Sequence, residues 1–336
     1  MYLKKIENIK EMVDEKYLSN KNKRAVTINK ENYIRNINYY NYKFDIYSMV
    51  RALTDKRIDI KNATVALISE NRYEWLVTYL ANSILGNNII IFNRNCTSNM
   101  IEKTIKKLRI NTIFFSEKYK DKVNEALKSE INIKSNPKKK NKNSKINLIN
   151  FDSNNNPNNI NYEKLMNTGR YIENYTIDKD TNNNELKQVE TTFISKDGKK
   201  IVSQQELITS TIRIKDALKI WNKKNKKINA TDNINTVYEL IMQCLLPYCY
   251  GINTYYYNDN ISKKDISIEN TMQNELIFTY KNKRYRVNGS EESMALTRIE
   301  NNKKLSNFII IKNKKSVVRE KLESGSKDLV LIKTGK

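Results

Sequence analysis

Between residues 64 and 127 the sequence alternates short apolar runs with longer stretches of helical period, and few folds accept that pattern. TVALIS (64–69), NNIIIF (87–92) and NTIFF (111–115) are apolar at successive positions, as strands buried on both faces must be. Between the first two, Trp75, Leu76, Tyr79, Leu80 and Ile84 recur at helical spacing. Ile101, Ile105 and Leu108 do so before the third, and a helix through Val123 and Leu127 follows it. Strand–helix–strand connections turn with one hand. This spacing therefore predicts an α/β fold built on a doubly wound, mostly parallel sheet.

Local signals mark where these elements start and stop. Asn71-Arg72-Tyr73-Glu74 has a polar residue and a glutamate three positions later, the arrangement that opens a helix. Asn99 and Glu102 offer the same pairing to the next helix, and Gly86 suits a left-handed stop. Upstream, residues 3–16 read as an amphipathic helix and residues 36–56 as a strand entering a helix. Downstream, NPKKKNKNSK (136–145) reads as a solvated basic loop, and 147–159 as a strand running into an Asn-rich turn.

Composition narrows the chemistry. The 336 residues carry 61 Lys and Arg against 37 Asp and Glu, a net charge of +24. Such charge attracts nucleic acid or anionic surfaces. Here it accompanies abundant Lys, Asn, Ile and Tyr with only 7 Gly, 3 Pro and no His. AT-rich codon usage produces that profile without an acidic partner, so nucleic acid is not the expected ligand. The absence of histidine excludes Ser-His-Asp triads, Cys-His dyads and histidine metal sites. Cys96, Cys244 and Cys249 form neither a metal-like pair nor a disulfide framework. With no apolar run of membrane-spanning length and no signal peptide, the expectation is a cytoplasmic protein.

Residues 190–207, ETTFISKDGKKIVSQQEL, read as a strand, a short basic turn and the start of a helix. Ser203 and Glu206 have capping-box spacing, and Ile208, Thr211, Ile212 and Leu218 continue an inward face. NTVYELIMQCLLPYCYG (235–251) reads as a buried helix reaching a proline turn and a glycine, with Cys244 and Cys249 as small core residues.

The stretch 66–121, with SENRYEW, a YLA-type helix, a short strand, a polar loop and an I-E-x-x-I-like helix, resembles the AMP-binding, adenylate-forming superfamily. The likeness is strongest to the N-terminal region of long-chain acyl-CoA synthetases. Residues 6–26 and 37–53 look like the segments that precede it. The resemblance implies a division into a ligase-like region, residues 1–257, and an unassigned segment with strands, residues 258–336. It also implies a ligase that joins a carboxylate to ATP, with Mg²⁺, and passes the acyl group to coenzyme A.

In that family a TSGTTG-like loop with a following lysine-glycine pair holds the phosphates. Its remnant here is Ser195, Gly198, Lys199 and Lys200. The family's histidine-containing HHTYE helix is matched at Tyr238 and Glu239, with Asn235 and Thr236 where histidines are expected. The adenine segment, the ribose-binding aspartate and the C-terminal catalytic lysine have no counterpart in the sequence. The resemblance therefore points to a degenerate, catalytically impaired ligase that retains at most weak nucleotide or acyl binding. Two alternatives stay open. One is a non-catalytic scaffold that pairs with a full-length ligase or another protein. The other is a basic nucleic-acid binder using the runs around Lys138 and Lys281. In the final segment ELIFTY and RYRVNG form an expected hairpin across a basic turn, with further strand-like runs at 307–312 and 328–332.

Overall fold

A computed structural model describes residues 6–30, 33–55, 58, 60–134, 146–152, 159–172, 183–218, 227–230, 234–257, 266–269, 275–280, 283–289, 293–300 and 303–311. The basic loop at 136–145, the run at 328–332 and Lys281 lie outside these residues. By contact the chain divides into two compact units that interleave in sequence. One takes residues 1–23, 37–208 and 233–237, and the other residues 24–36, 209–232 and 238–336.

In chain order the elements begin with α1 (Ile9–Asn20), β1 (Arg24–Lys30), β2 (Tyr33–Asn38) and α2 (Tyr39–Thr54). The expected alternation follows as β3 (Thr64–Ile68), α3 (Tyr73–Ile84), β4 (Asn88–Phe92), α4 (Ser98–Leu108), β5 (Thr112–Phe115) and α5 (Lys120–Lys134). Next come β6 (Asn147–Asn150), β7 (Ile160–Asn161), α6 (Tyr162–Tyr171), α7 (Asn183–Gln188), β8 (Glu190–Ser195), β9 (Gly198–Ser203) and α8 (Gln204–Leu218).

The first unit holds a seven-stranded sheet of order β7-β6-β5-β3-β4-β8-β9. Every pairing is parallel except that of β8 with β9. Alternate strand residues divide between two layers. Ala66, Ile68, Ile90, Phe92, Ile113 and Phe115 pack with Ile101 and Ile105 of α4 and Val123, Ala126 and Leu127 of α5. On the other layer α3 packs with α1 and α2, and its Tyr79 hydroxyl meets Thr191 Oγ1 of β8 at 3.0 Å. Burial on both faces is why these strands carry no polar alternation.

Two approaches in this unit leave no slack. Gly169 of α6 lies so close to α2 that an added Cβ would sit 1.8 Å from the Ser48 carbonyl oxygen. Arg51 Nε clasps the Gly169 carbonyl at 2.7 Å. Buried Gln204 ties three elements together. Its side chain accepts from Ile9 N, the first residue of α1, at 3.1 Å and donates to Ser83 O near the end of α3 at 2.8 Å.

The capping expectations divide. Ser203 and Glu206 form the reciprocal box, Ser203 N donating to Glu206 Oε2 at 2.8 Å and Glu206 N to Ser203 Oγ at 3.2 Å. Gly86 follows α3 with φ +75°, as a left-handed stop requires. The opening of α3 differs: Arg72 is the cap residue and makes no side-chain cap bond. Asn71 Oδ1 instead accepts from Ile234 N at 2.7 Å. At α4, Thr97 caps Met100 N in place of Asn99, and Glu102 pairs with Lys106. In α8 Gln204, Leu207, Ile208, Thr211 and Ile214 are buried, Ile212 is only half-buried, and the side chain of Leu218 lies outside those described. Helix α1 lies further along the chain than the amphipathic reading of 3–16 placed it.

The second unit contains a four-stranded sheet of order β10-β11-β1-β2, with β10 (Lys227–Ala230) and β11 (Asn253–Tyr257). Thr27 Oγ1 of β1 donates to Asn36 Oδ1 at 2.9 Å and accepts from Asn253 Nδ2 at 2.9 Å, so the buried Thr27 and Asn253 side chains satisfy one another. Ahead of β11, α9 (Val237–Leu240) passes through a π-helical turn, Ile241–Leu245, into α10 (Leu246–Tyr250). Pro247 has no N–H to give the carbonyl four residues back. That carbonyl, Gln243 O, takes the Thr254 hydroxyl at 3.4 Å instead. Gly251 closes α10 at φ +66°, and Cys244 and Cys249 are buried as expected. A five-stranded antiparallel meander follows: β12 (Ile266–Glu269), β13 (Glu275–Tyr280), β14 (Lys283–Gly289), β15 (Ser293–Glu300) and β16 (Lys303–Ile311). It includes the expected β13–β14 hairpin.

Candidate functional site

An open parallel sheet offers ligands the crevice outside the carboxyl ends of its strands, where successive connections leave in opposite directions. Here the chain runs from β3 to β4 on one side and then returns across β3 to β5 on the other. The switch point is therefore between β3 and β5. The residues just beyond these strands, Ser69 to Glu74 and Ser116 to Glu117, are well placed to face a ligand.

Those residues bind one another. Arg72 Nε contacts Glu74 Oε2 at 2.9 Å, and its Nη1 contacts Asp152 Oδ1 at 2.9 Å and Glu70 Oε1 at 3.4 Å. The guanidinium also lies over the Phe151 ring, 5.4 Å from its centroid. Burial pulls the Arg72 pKa down, but the Glu74 and Asp152 carboxylates outweigh it and hold the group above the ordinary arginine value. Ser116 Oγ donates to Glu70 Oε2 at 2.6 Å. Asp152 Oδ2 accepts from Glu117 N at 2.8 Å, and Asn150 Nδ2 donates to Glu117 Oε2 at 2.8 Å. The network fastens the loops after β3, β5 and β6 to one another. Among the described residues no group of three or more His, Cys, Asp or Glu is arranged to hold a metal ion. The sequence shows each of these residue types, but nothing in their spacing reveals that one arginine gathers three carboxylates, two from its own segment after β3 and one from the loop after β6.

The residues matched to the family's phosphate loop lie elsewhere, at the sheet's edge. Strands β8 and β9 form a hairpin joined by only Lys196 and Asp197, with Ser195 opposite Gly198. A second strand thus stands between the basic turn and α8. Gly198 adopts φ +140°, a conformation suited to glycine, and an added Cβ there would meet nothing within 4 Å. Ser195 Oγ accepts from Asp197 N at 3.2 Å and donates to Gly198 O at 3.4 Å, so it serves the turn itself. Lys199 and Lys200 are exposed on the edge strand, opposite Ile194 and Phe193. As neighbours in a strand they point to opposite faces and do not converge. The hairpin brings these four residues together. Tyr238 and Glu239 are consecutive, half-buried residues of α9 and fall in the other unit.

No helix among the described residues is long and apolar enough to cross a membrane. No known family profile matches the sequence, and no curated protein matches it. Solved structures do match. A mutant form of coronafacic acid ligase from Pectobacterium brasiliense aligns at TM-score 0.57 and 13% identity, over 75% of this chain and 46% of that one. An acyl-CoA synthetase from Brucella canis aligns at 0.57 and 11%, over 76% and 44%. The adenylation–carrier didomain of a carboxylic acid reductase from Segniliparus rugosus, solved with AMP, aligns at 0.56 and 10%, over 78% and 39%. The chain spans less than half the length of each of these proteins. At such identities the likeness is one of architecture: the chain carries the fold of the adenylate-forming ligases.

Proposed function

We propose that this chain is a relative of ATP-dependent acyl-CoA synthetases in which adenylation is lost or severely impaired. In this reading residues 1–257 are the ligase-like part. The observation that carries it is the β8–β9 hairpin. Phosphate binding by a loop needs successive backbone N–H groups turned toward the ligand. A two-residue turn on a paired strand commits its backbone to the ladder, and its Ser195 hydroxyl is occupied within the turn. ATP and Mg²⁺ are what the family would place there. The residues present do not fit a triphosphate cradle, so no catalytic step is routed through them. Losing one preorganised donor costs roughly a hundredfold in rate, and here several are missing together.

Packing residues of the HHTYE-like helix persist. Leu240, Ile241, Leu245 and Leu246 are buried while Asn235 and Thr236 replace the expected histidines. A retained core beside altered polar positions also supports the second reading, a non-catalytic scaffold for a ligase or another protein partner. Carboxylate-dependent ATP–pyrophosphate exchange with a series of fatty and aromatic acids tests the main proposal. Exchange at the background rate of a no-enzyme control is the expected result, and turnover with any acid overturns it.

A further inference from the structure

Large apolar side chains are rarely left exposed in a group on a monomer surface, and such groups mark contact sites. Of six strongly exposed large hydrophobics among the described residues, three occupy one corner of the first unit: Leu18 (74% exposed), Tyr40 (55%) and Phe44 (44%). Leu18 is near the end of α1, and Tyr40 and Phe44 share one face of α2 a turn apart. The rings of Tyr17 and Tyr40 lie 6.4 Å apart and join the two helices into one surface.

The rim of this corner is basic. The turn after α1 presents exposed Lys21 and Lys23. It is held against α2 by two backbone bonds, Tyr40 N to Lys21 O and Tyr39 N to Lys23 O, both 3.0 Å. Lys43 lies 4.6 Å above the Tyr17 ring. Asp14 of α1 is already engaged by Lys43 at 2.8 Å and by the Tyr47 hydroxyl at 2.7 Å. Arg51 covers the flank of Phe44, 5.9 Å from its centroid.

We propose that this α1–α2 corner is a docking surface for an anionic phospholipid bilayer. Aromatic and aliphatic side chains enter the headgroup–acyl boundary while neighbouring lysines stay at headgroup level, where anionic lipid adds favourable charge contact. Leu18 decides against single-stranded nucleic acid, which seeks stacking rings and gains nothing from an exposed aliphatic chain. The fixed lysine turn decides against an uncharged apolar partner.

Net charge alone would bring a +24 protein to anionic vesicles, so the test must hold charge constant. The full chain is sedimented with vesicles of phosphatidylcholine, and with equal parts phosphatidylcholine and phosphatidylglycerol. The comparison is a triple variant, Leu18→Ser, Tyr40→Ser, Phe44→Ser. These side chains are exposed, and an unchanged thermal transition verifies folding. The expected result is binding to anionic but not neutral vesicles, reduced roughly tenfold or more by the triple variant. Reversing Lys21 and Lys23 to Glu lowers it by about the same factor. Wild-type binding that the triple variant retains overturns the proposal in favour of bulk charge. Absence of wild-type binding overturns it as well. Self-association of the wild type that the triple variant abolishes, without vesicle binding, assigns the corner to a second copy of the chain.

Discussion

The centre of the seven-stranded sheet and its β9 edge have been treated differently by this sequence. At the centre, β3, β4 and β5 are buried on both faces, and the loops after β3, β5 and β6 are fastened by the network around Arg72. At the edge, β8 and β9 are joined by a two-residue turn, and the lysines beside it are exposed. The contrast teaches where the fold's stability resides. The centre and its helices hold the sheet together whether or not the edge binds anything. The exposed edge can change residues without endangering the core. Lysines on an edge strand also discourage edge-to-edge pairing with other chains, so Lys199 and Lys200 have a use that needs no nucleotide.

Substitutions at the two regions should therefore separate by size. Gly169→Ala forces a methyl into the Ser48 carbonyl and is expected to cost about 3 kcal/mol in urea titration, at the upper end of overpacking penalties. Arg72→Met removes the shared cation from Glu74 and Asp152. A loss of about 2 kcal/mol is expected, below the figure for a fully buried pair because the carboxylates are about a third exposed.

The alkaline limb tests the same packed layer. Burial raises the Tyr162 pKa well above 10.0, so the folded state keeps a proton that the unfolded state releases above that pH. Its contribution is full below the unfolded value and is lost as pH rises beyond it, at up to about 1.4 kcal/mol per pH unit. Tyr162→Phe should flatten that slope in thermal melts taken from pH 9 upward. Ser203→Ala breaks the capping box and should cost about 1 kcal/mol by the same urea assay. The double variant Lys199→Ala, Lys200→Ala should change stability by no more than about 0.5 kcal/mol. A larger loss would mean that the edge is structurally built in and would erase the contrast.

Much of the centre was legible in the sequence. Apolar runs at strand length placed β3, β4 and β5 within a residue or two, and helical spacing marked the helices between and after them, because burial on both faces leaves a local signature. The capping box at Ser203 was readable for the same reason, all its partners lying within four residues. Its apparent twin at Asn71 was not. Asn71 bonds Ile234, 163 positions away, and Glu74 is claimed by Arg72. The Arg72 network and the clasp on Gly169 depend on loops and helices that only the folded sheet brings together. The strand β9 escaped notice because GKKIVS carries three lysine or serine positions and one exposed isoleucine, a composition shared by surface turns. The phosphate-loop residues could be matched in order, but their sequence did not disclose that the ladder begins at Gly198.

The most direct test of the account is calorimetric titration of the folded wild-type chain with ATP–Mg²⁺, alongside the Lys199→Ala, Lys200→Ala variant. The account predicts no saturable heat from either protein. Saturable binding by the wild type that the double variant loses would contradict it, because the hairpin edge would then still hold phosphate.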